Sequence, residues 1–163
     1  MTILRVPGGR NGAHGERPGF RSILIPVNTA LGELPCDLLH LAARLAAERR
    51  ASIELLTFTE IPLWEEMDVE LPGLDGHVDA MAKRARAIAA RRGVGVHVIA
   101  PRTRRPADLI LREARRRKAQ LIVLGATGRS RTSHQALAHD AVTRRISDQA
   151  GVPTMFIQAP VAA

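Results

Sequence analysis

The segment that decides the fold is residues 121–128, which is Leu-Ile-Val-Leu-Gly-Ala-Thr-Gly. Four consecutive apolar residues end at Gly125, and Gly128 follows three positions later. A continuous rather than alternating apolar run is typical of a strand that is covered on both faces, as in parallel sheets. Glycines directly after such a strand let backbone N–H groups turn toward a phosphate, because no Cβ intervenes. The ordinary alternative is that the two glycines only turn the chain.

A second continuous apolar run, Ile23–Val27, lies near the start of the chain and ends at Asn28. Its Pro26 is unusual, because proline gives no N–H to a ladder and prefers edges or strand ends. From here onward, short apolar runs alternate with helix-period segments, which is the pattern of βαβ units. The predicted helices are 34–50, 74–92, 106–118 and 136–150, and the other predicted strands are 52–58, 94–100, 120–124 and 153–158.

This order of elements predicts an α/β fold, namely an open five-stranded parallel sheet of the Rossmann-like type with helices on both faces. In such sheets, ligands bind outside the carboxyl ends of the strands, at the point where the strand order reverses. The segments that follow the first and fourth strands are therefore expected to share one crevice. These segments are Asn28–Gly32 and Gly125–Arg131.

Length and composition favour a single domain, because 163 residues supply one core and divide poorly into two. We expect residues 1–20, which are rich in Gly and Arg, to be a flexible tail and residues 21–160 to be the domain. No apolar run approaches the roughly 20 residues that a membrane helix needs. The single cysteine, Cys36, forms no internal disulfide, which favours a cytoplasmic location.

The charge is distributed unevenly between the two halves of the chain. Residues 1–80 hold seven basic and twelve acidic residues, for a net −5, whereas residues 81–163 hold seventeen and four, for a net +13. A basic half attracts phosphates, nucleic acid or an acidic protein surface. The same arginines also suit an ordinary solvated surface.

The segment 122–130 and the closing segment 150–157 resemble the universal stress protein family. Members of that family combine an early strand that ends in a Val-Asp type pair with a Gly-x2-Gly-x9-Gly-Ser/Thr motif after the fourth strand. The resemblance covers about residues 22–158. Two positions depart from it: Ala138-His139 stands in place of the second Gly-Ser/Thr pair, and Asn28 stands where ATP-binding members have Asp.

The resemblance implies ATP or another adenine nucleotide as the ligand, a role in stress response and no catalytic activity. It also implies a homodimer formed through the last strand. No metal is expected, because His134 and His139 are five positions apart, on different faces of a helix, and the other histidines are scattered. The residues that it places nearest the nucleotide are Pro26, Val27, Asn28, Thr29, Gly125, Ala126, Gly128, Arg129, Ser130, Ala138 and His139. Arg129, Arg131 and His134 would supply positive charge where the motif has lost its hydroxyl.

Two other functions stay open from the sequence. The first is a regulatory or interaction domain without a nucleotide, similar to the stress-protein domains of transporters, whose basic half docks an acidic partner. The second is salt-dependent DNA binding through the cationic run at 112–118, although four aromatic residues offer no stacking platform for single strands. A hydrolytic triad at 133–140 is disfavoured, because its residues crowd one short segment without a nucleophile elbow.

Overall fold

The computed structural model describes residues 3–5, 21–31, 36–126 and 133–158, with only the backbone at 3–5, 31, 126, 133–140 and 158. The strands run in the order β1-β7-β6-β2-β3-β4, and the short β5 pairs with the end of β3. They are β1 Ile3–Arg5, β2 Ser22–Asn28, β3 Ser52–Glu60, β4 Val96–Ile99, β5 Arg102–Thr103, β6 Leu121–Ala126 and β7 Thr154–Gln158. All pairings are parallel except that of β1 with β7. The prediction of an α/β fold with a parallel sheet is confirmed.

Four helices connect the parallel strands, and a short 3-10 turn, Thr29–Leu31, follows β2. They are α1 Cys36–Arg49, α2 Leu74–Ala90, α3 Pro106–Arg116 and α4 Ser133–Gln149. Pro106 occupies the first turn of α3, where its missing N–H removes no helical bond. In the described part of the chain, no helix has both the length and the apolar character that a membrane span requires.

The sheet separates two hydrophobic clusters, because alternate residues of each strand face opposite sides. Ile23, Ile25 and Val123 pack with α1 and α2 on one face. Leu24 and Ile122 pack with α3 and α4 on the other face. The central strands are thus apolar on both faces, which explains why they are continuous apolar runs in the sequence.

Two strands were not predicted from the sequence. β5 lies between the predicted strand 94–100 and the predicted helix 106–118, and β1 lies within residues 1–20, which were interpreted as a flexible tail. β1 pairs Ile3 with Phe156 and Arg5 with Thr154, on the edge of β7 that faces away from β6. The domain boundary at residue 21 stays a prediction. The same holds for dimerisation through the last strand, which would require β1 to leave this edge.

The residue after the C-cap of α3, Lys118, has φ +51°, in the left-handed region that favours glycine. Its conformation lets the N–H of Ala119 donate to the carbonyl of Ala114 at 2.9 Å. The left-handed conformation costs a residue with a Cβ about 1–2 kcal/mol. Glycine avoids that cost. However, it also gives the unfolded chain more conformational freedom, which lowers the free energy of unfolding by about 0.5–1 kcal/mol.

We therefore expect Lys118→Gly to raise the free energy of unfolding by about 0.5–1 kcal/mol, measured by urea denaturation. Lys118→Ala is the matched control, since it removes the same charge and keeps the unfavourable φ. Equal stability of the two variants would contradict this account.

Candidate functional site

The candidate site lies at the carboxyl ends of β2 and β6, which are neighbours in the sheet. Ile23 of β2 pairs with Leu121 of β6, and Leu24 pairs with Ile122, both in parallel register. From β2, the chain goes to β3 on one side, and from β6 it goes to β7 on the other side. The strand order therefore reverses between β2 and β6, where open α/β sheets bind their ligands. The prediction that these two strands lie side by side is confirmed.

Pro26 explains why the sheet opens at this point. The pairing of β2 with β3 continues past Pro26 to Asn28 and Phe58, whereas the described pairing of β2 with β6 stops after Leu24 and Ile122. Successive residues of a central strand bond alternately to one neighbour and then the other. The pairing of β2 with β3 is uninterrupted at Pro26. The N–H that Pro26 lacks would therefore have pointed toward β6. The proline thus lies inside a central strand and ends its ladder where the crevice begins.

A row of side-chain positions crosses the sheet at the level of the crevice. Thr57 pairs with Val27, and Gly125 pairs with Ile157. Counting four residues on from Ile23 and Leu121 places Val27 level with Gly125. Gly125, which is half-buried, is the one position in this row without a side chain. The row of side chains therefore has a gap at this position, and we expect that a ligand could approach the backbone of β6 there.

Asn28 has a defined structural task at the end of β2. Its Oδ1 accepts a hydrogen bond from the N–H of Ala30 at 3.0 Å, which caps the 3-10 turn. Its Nδ2 lies 3.5 Å from Oε2 of Glu60, the last residue of β3. A carboxylate thus lies beside Asn28 at the carboxyl edge of the sheet, although it comes from a different strand.

The hydroxyl of Thr29 is directed away from β6. Its Oγ1 lies 2.8 Å from Oγ1 of Thr59, and both residues are buried. This contact joins the turn after β2 to the end of β3. Thr29 therefore positions the turn, and a direct contact of its hydroxyl with a ligand stays a prediction.

The other predicted ligand residues are described only in part. Pro26 is buried, and Val27 is half-buried against the α1–α2 cluster. Ala126 ends β6, and Ala138 and His139 lie in α4, but their side chains are outside the described residues. Gly128, Arg129, Ser130 and Arg131 also lie outside the described residues.

Sequence reasoning missed Glu60, which lies two residues beyond the end of the predicted strand 52–58. The signal that could have found it is the length of the second strand, since Thr59 continues the β-branched pattern of Thr57 beyond Phe58. A strand that reaches residue 60 places its last carboxylate at the same edge as Asn28. Among the described residues, no cluster of three or more His, Cys, Asp or Glu side chains could hold a metal ion.

The cationic run on α3 is partly neutralised inside the protein. Glu113 is buried, and three of the run's cations surround it: Arg112 at 3.7 Å, Arg116 at 4.0 Å and Arg117 at 3.2 Å. Arg117 also donates to Glu54 of β3 at 2.9 Å. Part of this run therefore has a structural role, which weakens the interpretation of 112–118 as a stripe that follows a phosphate backbone.

A parallel sheet with helices on both faces and a crevice at its reversal of strand order defines the Rossmann-like class of α/β proteins. Within that class, the chain belongs to the universal stress protein family, since the model of that family matches residues 19–158. The search of curated proteins found no match.

Solved structures with the same fold include several universal stress proteins. A complex with cAMP has a TM-score of 0.61 and 16% identity, and the match covers 86% of this chain and 98% of that one. A complex from Archaeoglobus fulgidus with dAMP has a TM-score of 0.60 and 17% identity, covering 85% and 98%. A protein from Arabidopsis thaliana with AMP bound has a TM-score of 0.53 and 13% identity, covering 86% and 93%.

Proposed function

We propose that this chain binds an adenine nucleotide in the crevice between β2 and β6 and acts in stress response without catalysing a reaction. The observation that carries the proposal is the reversal of strand order at two strands whose pairing stops after Leu24 and Ile122. Family membership and the nucleotides in the three similar structures support the choice of ligand. The free thiol of Cys36 is compatible with a cytoplasmic location.

Different residues at the crevice suit the base, the ribose and the phosphates of a nucleotide. The gap at Gly125, beside Val27 and Ile157, suits an apolar, flat group that lies against the backbone. The Asn28 amide and the Glu60 carboxylate suit the hydroxyls of a ribose, because an amide donates and a carboxylate accepts. Arg129 and Ser130, which follow Gly125 in the chain, are proposed to reach the phosphates.

A thermal-shift series with ATP, ADP, AMP and cAMP tests the proposal. A ligand that binds only the folded protein stabilises it by about 2.7 kcal/mol at a hundred times its Kd, which gives a shift of several degrees in Tm. We expect such a shift with at least one adenine nucleotide and a smaller one with the matching pyrimidine nucleotide. The absence of a shift with all four at millimolar concentration, with no nucleotide in the purified protein by mass spectrometry, would contradict it.

The second candidate is a regulatory domain that docks an acidic protein through its basic half. It is favoured by the exposure of Arg112 and Arg116, whose side chains are 70% and 75% accessible. If the nucleotide series fails, this function predicts salt-dependent binding to an acidic protein surface. A filter-binding titration with duplex DNA across salt separates it from nucleic-acid binding.

A further inference from the structure

The segment between β3 and α2, residues 61–73, exposes large apolar side chains and is here called the Trp64 loop. Leu63 is 80% exposed and Trp64 is 83% exposed. Met67 and Leu71 complete the set of large apolar side chains that are exposed in the described part of the chain. Apolar residues exposed singly are common, whereas a group of them on one loop marks an interaction site. Tryptophan is also strongly enriched at the energetic centres of interfaces.

The Trp64 loop is held in a fixed shape by the segment that contains β5. Arg102 donates from Nη1 to the carbonyls of Met67 at 2.9 Å and Val69 at 2.6 Å. Arg104 donates from Nη2 to the carbonyl of Glu65. A loop that is fixed before binding loses little conformational freedom when it meets a partner. The exposed apolar side chains are therefore presented on a prepared surface.

The charged residues of the Trp64 loop all have the same sign. The loop contains four acidic residues and no basic one. No ion pair among the described residues includes any of these four carboxylates. The two arginines that hold the loop donate to its backbone carbonyls, so those bonds do not engage the carboxylates. The four residues are Glu65, Glu66, Asp68 and Glu70.

This acidic group is unusual in a chain that has 24 basic and 16 acidic residues. Elsewhere, the carboxylates of Glu48 and Asp108 lie beside arginines, at 3.4 Å from Arg44 and 3.9 Å from Arg105. Neighbouring charges of one sign repel each other, and a cation placed among them removes that repulsion. Carboxylates around exposed apolar side chains are thus complementary to a surface that combines cations with apolar groups.

We propose that the Trp64 loop docks a different protein, through a basic segment of that protein in which large apolar side chains lie among Lys or Arg residues. Trp64 and Leu63 pack against the apolar side chains, and the four carboxylates pair with the surrounding cations. The described surface of this chain offers no such segment to a second copy, since its exposed large apolar side chains all lie in the acidic loop itself.

Titration of the full chain, without nucleotide, with a synthetic peptide of Lys and Leu tests the proposal. Trp64 is the only tryptophan and the chain has no tyrosine, so the intrinsic emission reports on this side chain. We expect saturable binding that shifts the emission to shorter wavelength and weakens with added salt. Peptides with Ser in place of Leu, or Glu in place of Lys, should bind at least about tenfold more weakly, because each lacks one half of the complementarity.

Two variants separate the apolar contact from the charged one. Leu63→Ser keeps the tryptophan and should weaken binding of the Lys–Leu peptide about tenfold, as at an interface hot spot. Glu65→Gln combined with Glu66→Gln should weaken it about fivefold and reduce its salt dependence, since exposed ion pairs contribute modestly. Asp79→Asn combined with Asp148→Asn, at exposed positions of α2 and α4, is the matched control and should bind as the wild type does.

Three results would overturn the proposal. These are a Lys–Leu peptide that binds no more tightly than the Ser or Glu peptide, binding that neither variant weakens, and an emission shift that follows protein concentration without peptide, which would assign the loop to contacts between copies. A shift with phosphatidylcholine vesicles but not with the Lys–Leu peptide would assign it to a membrane surface instead. Because no nucleotide is present, each of these results leaves the proposed nucleotide binding standing.

Discussion

Arg117→Met is expected to lower the free energy of unfolding by about 3–5 kcal/mol, because it removes the guanidinium group that two buried carboxylates share. Glu54 and Glu113 are 7% and 5% exposed, and the guanidinium of Arg117 lies between them. Methionine keeps most of the apolar stem, so packing loss contributes little to the effect. The penalty comes from the desolvation of charges that have lost their partner.

The arrangement joins three elements of the fold. Arg117 donates from Nη1 to Glu54 of β3 and from Nε to Glu113 of α3, at 2.9 Å and 3.2 Å. Nδ1 of His97, on β4, lies 3.3 Å from the second oxygen of Glu54. Arg112 and Arg116 also approach Glu113, but their side chains are mostly exposed, and exposed pairs contribute only about 0–1 kcal/mol.

Urea denaturation of Arg117→Met and of Arg112→Met compares the loss of the shared guanidinium group with the loss of an exposed one. The control removes a cation from the same helix and the same carboxylate, and it should cost no more than about 0.5 kcal/mol. Adding Glu54→Gln to Arg117→Met should recover part of the loss, because it removes one unpaired charge. A loss below about 1 kcal/mol for Arg117→Met would show that water or the neighbouring arginines already neutralise the two carboxylates.

The alternation of strands and helices and the adjacency of the first and fourth predicted strands could be predicted from the sequence, since both follow from local apolar patterns and general topological rules. Continuous apolar runs at 23–27 and 121–124 identified the central strands. The end of the second one was predicted wrongly, because β6 continues through Gly125 to Ala126. The rule on ligand sites then placed the crevice between these two strands.

The partners of the charged residues could not be predicted from the sequence, because they depend on contacts between distant positions. Arg117 and Glu54 are 63 positions apart, and the sequence around Arg117 is equally typical of a solvated face. A hint was the glutamate inside the apolar strand 52–58, since a charge in a covered strand needs a partner. Nothing local indicated that an arginine near the end of α3 would supply it.

Pro26 illustrates a second limit of prediction from the sequence, which concerns residue propensities. By propensity, a proline argues against a central strand, yet β2 is central. The structure resolves the conflict because the missing donor lies on the side where strand pairing ends. A residue that breaks a local rule here coincides with the candidate site, where such exceptions are expected.

Gly125→Leu should weaken adenine nucleotide binding at least about 100-fold, equivalent to about 2.7 kcal/mol. The variant fills the gap between Val27 and Ile157 at the level where β2 and β6 separate. It adds no charge and leaves Asn28 and Glu60 in place. The loss therefore measures whether the ligand occupies this gap. The prediction applies to whichever nucleotide gives the largest thermal shift with the wild-type chain.

Isothermal titration calorimetry with the nucleotide compares the affinity of Gly125→Leu with that of the control variant Gly95→Leu. Gly95 precedes β4, away from the crevice, and an added Cβ there meets no atom within 4 Å. We expect the control to bind as the wild type does, and circular dichroism with Tm measurement confirms that both variants are folded. Unchanged affinity in folded Gly125→Leu would place the nucleotide elsewhere, since a leucine at this position and a base lying against the backbone of β6 would occupy the same volume.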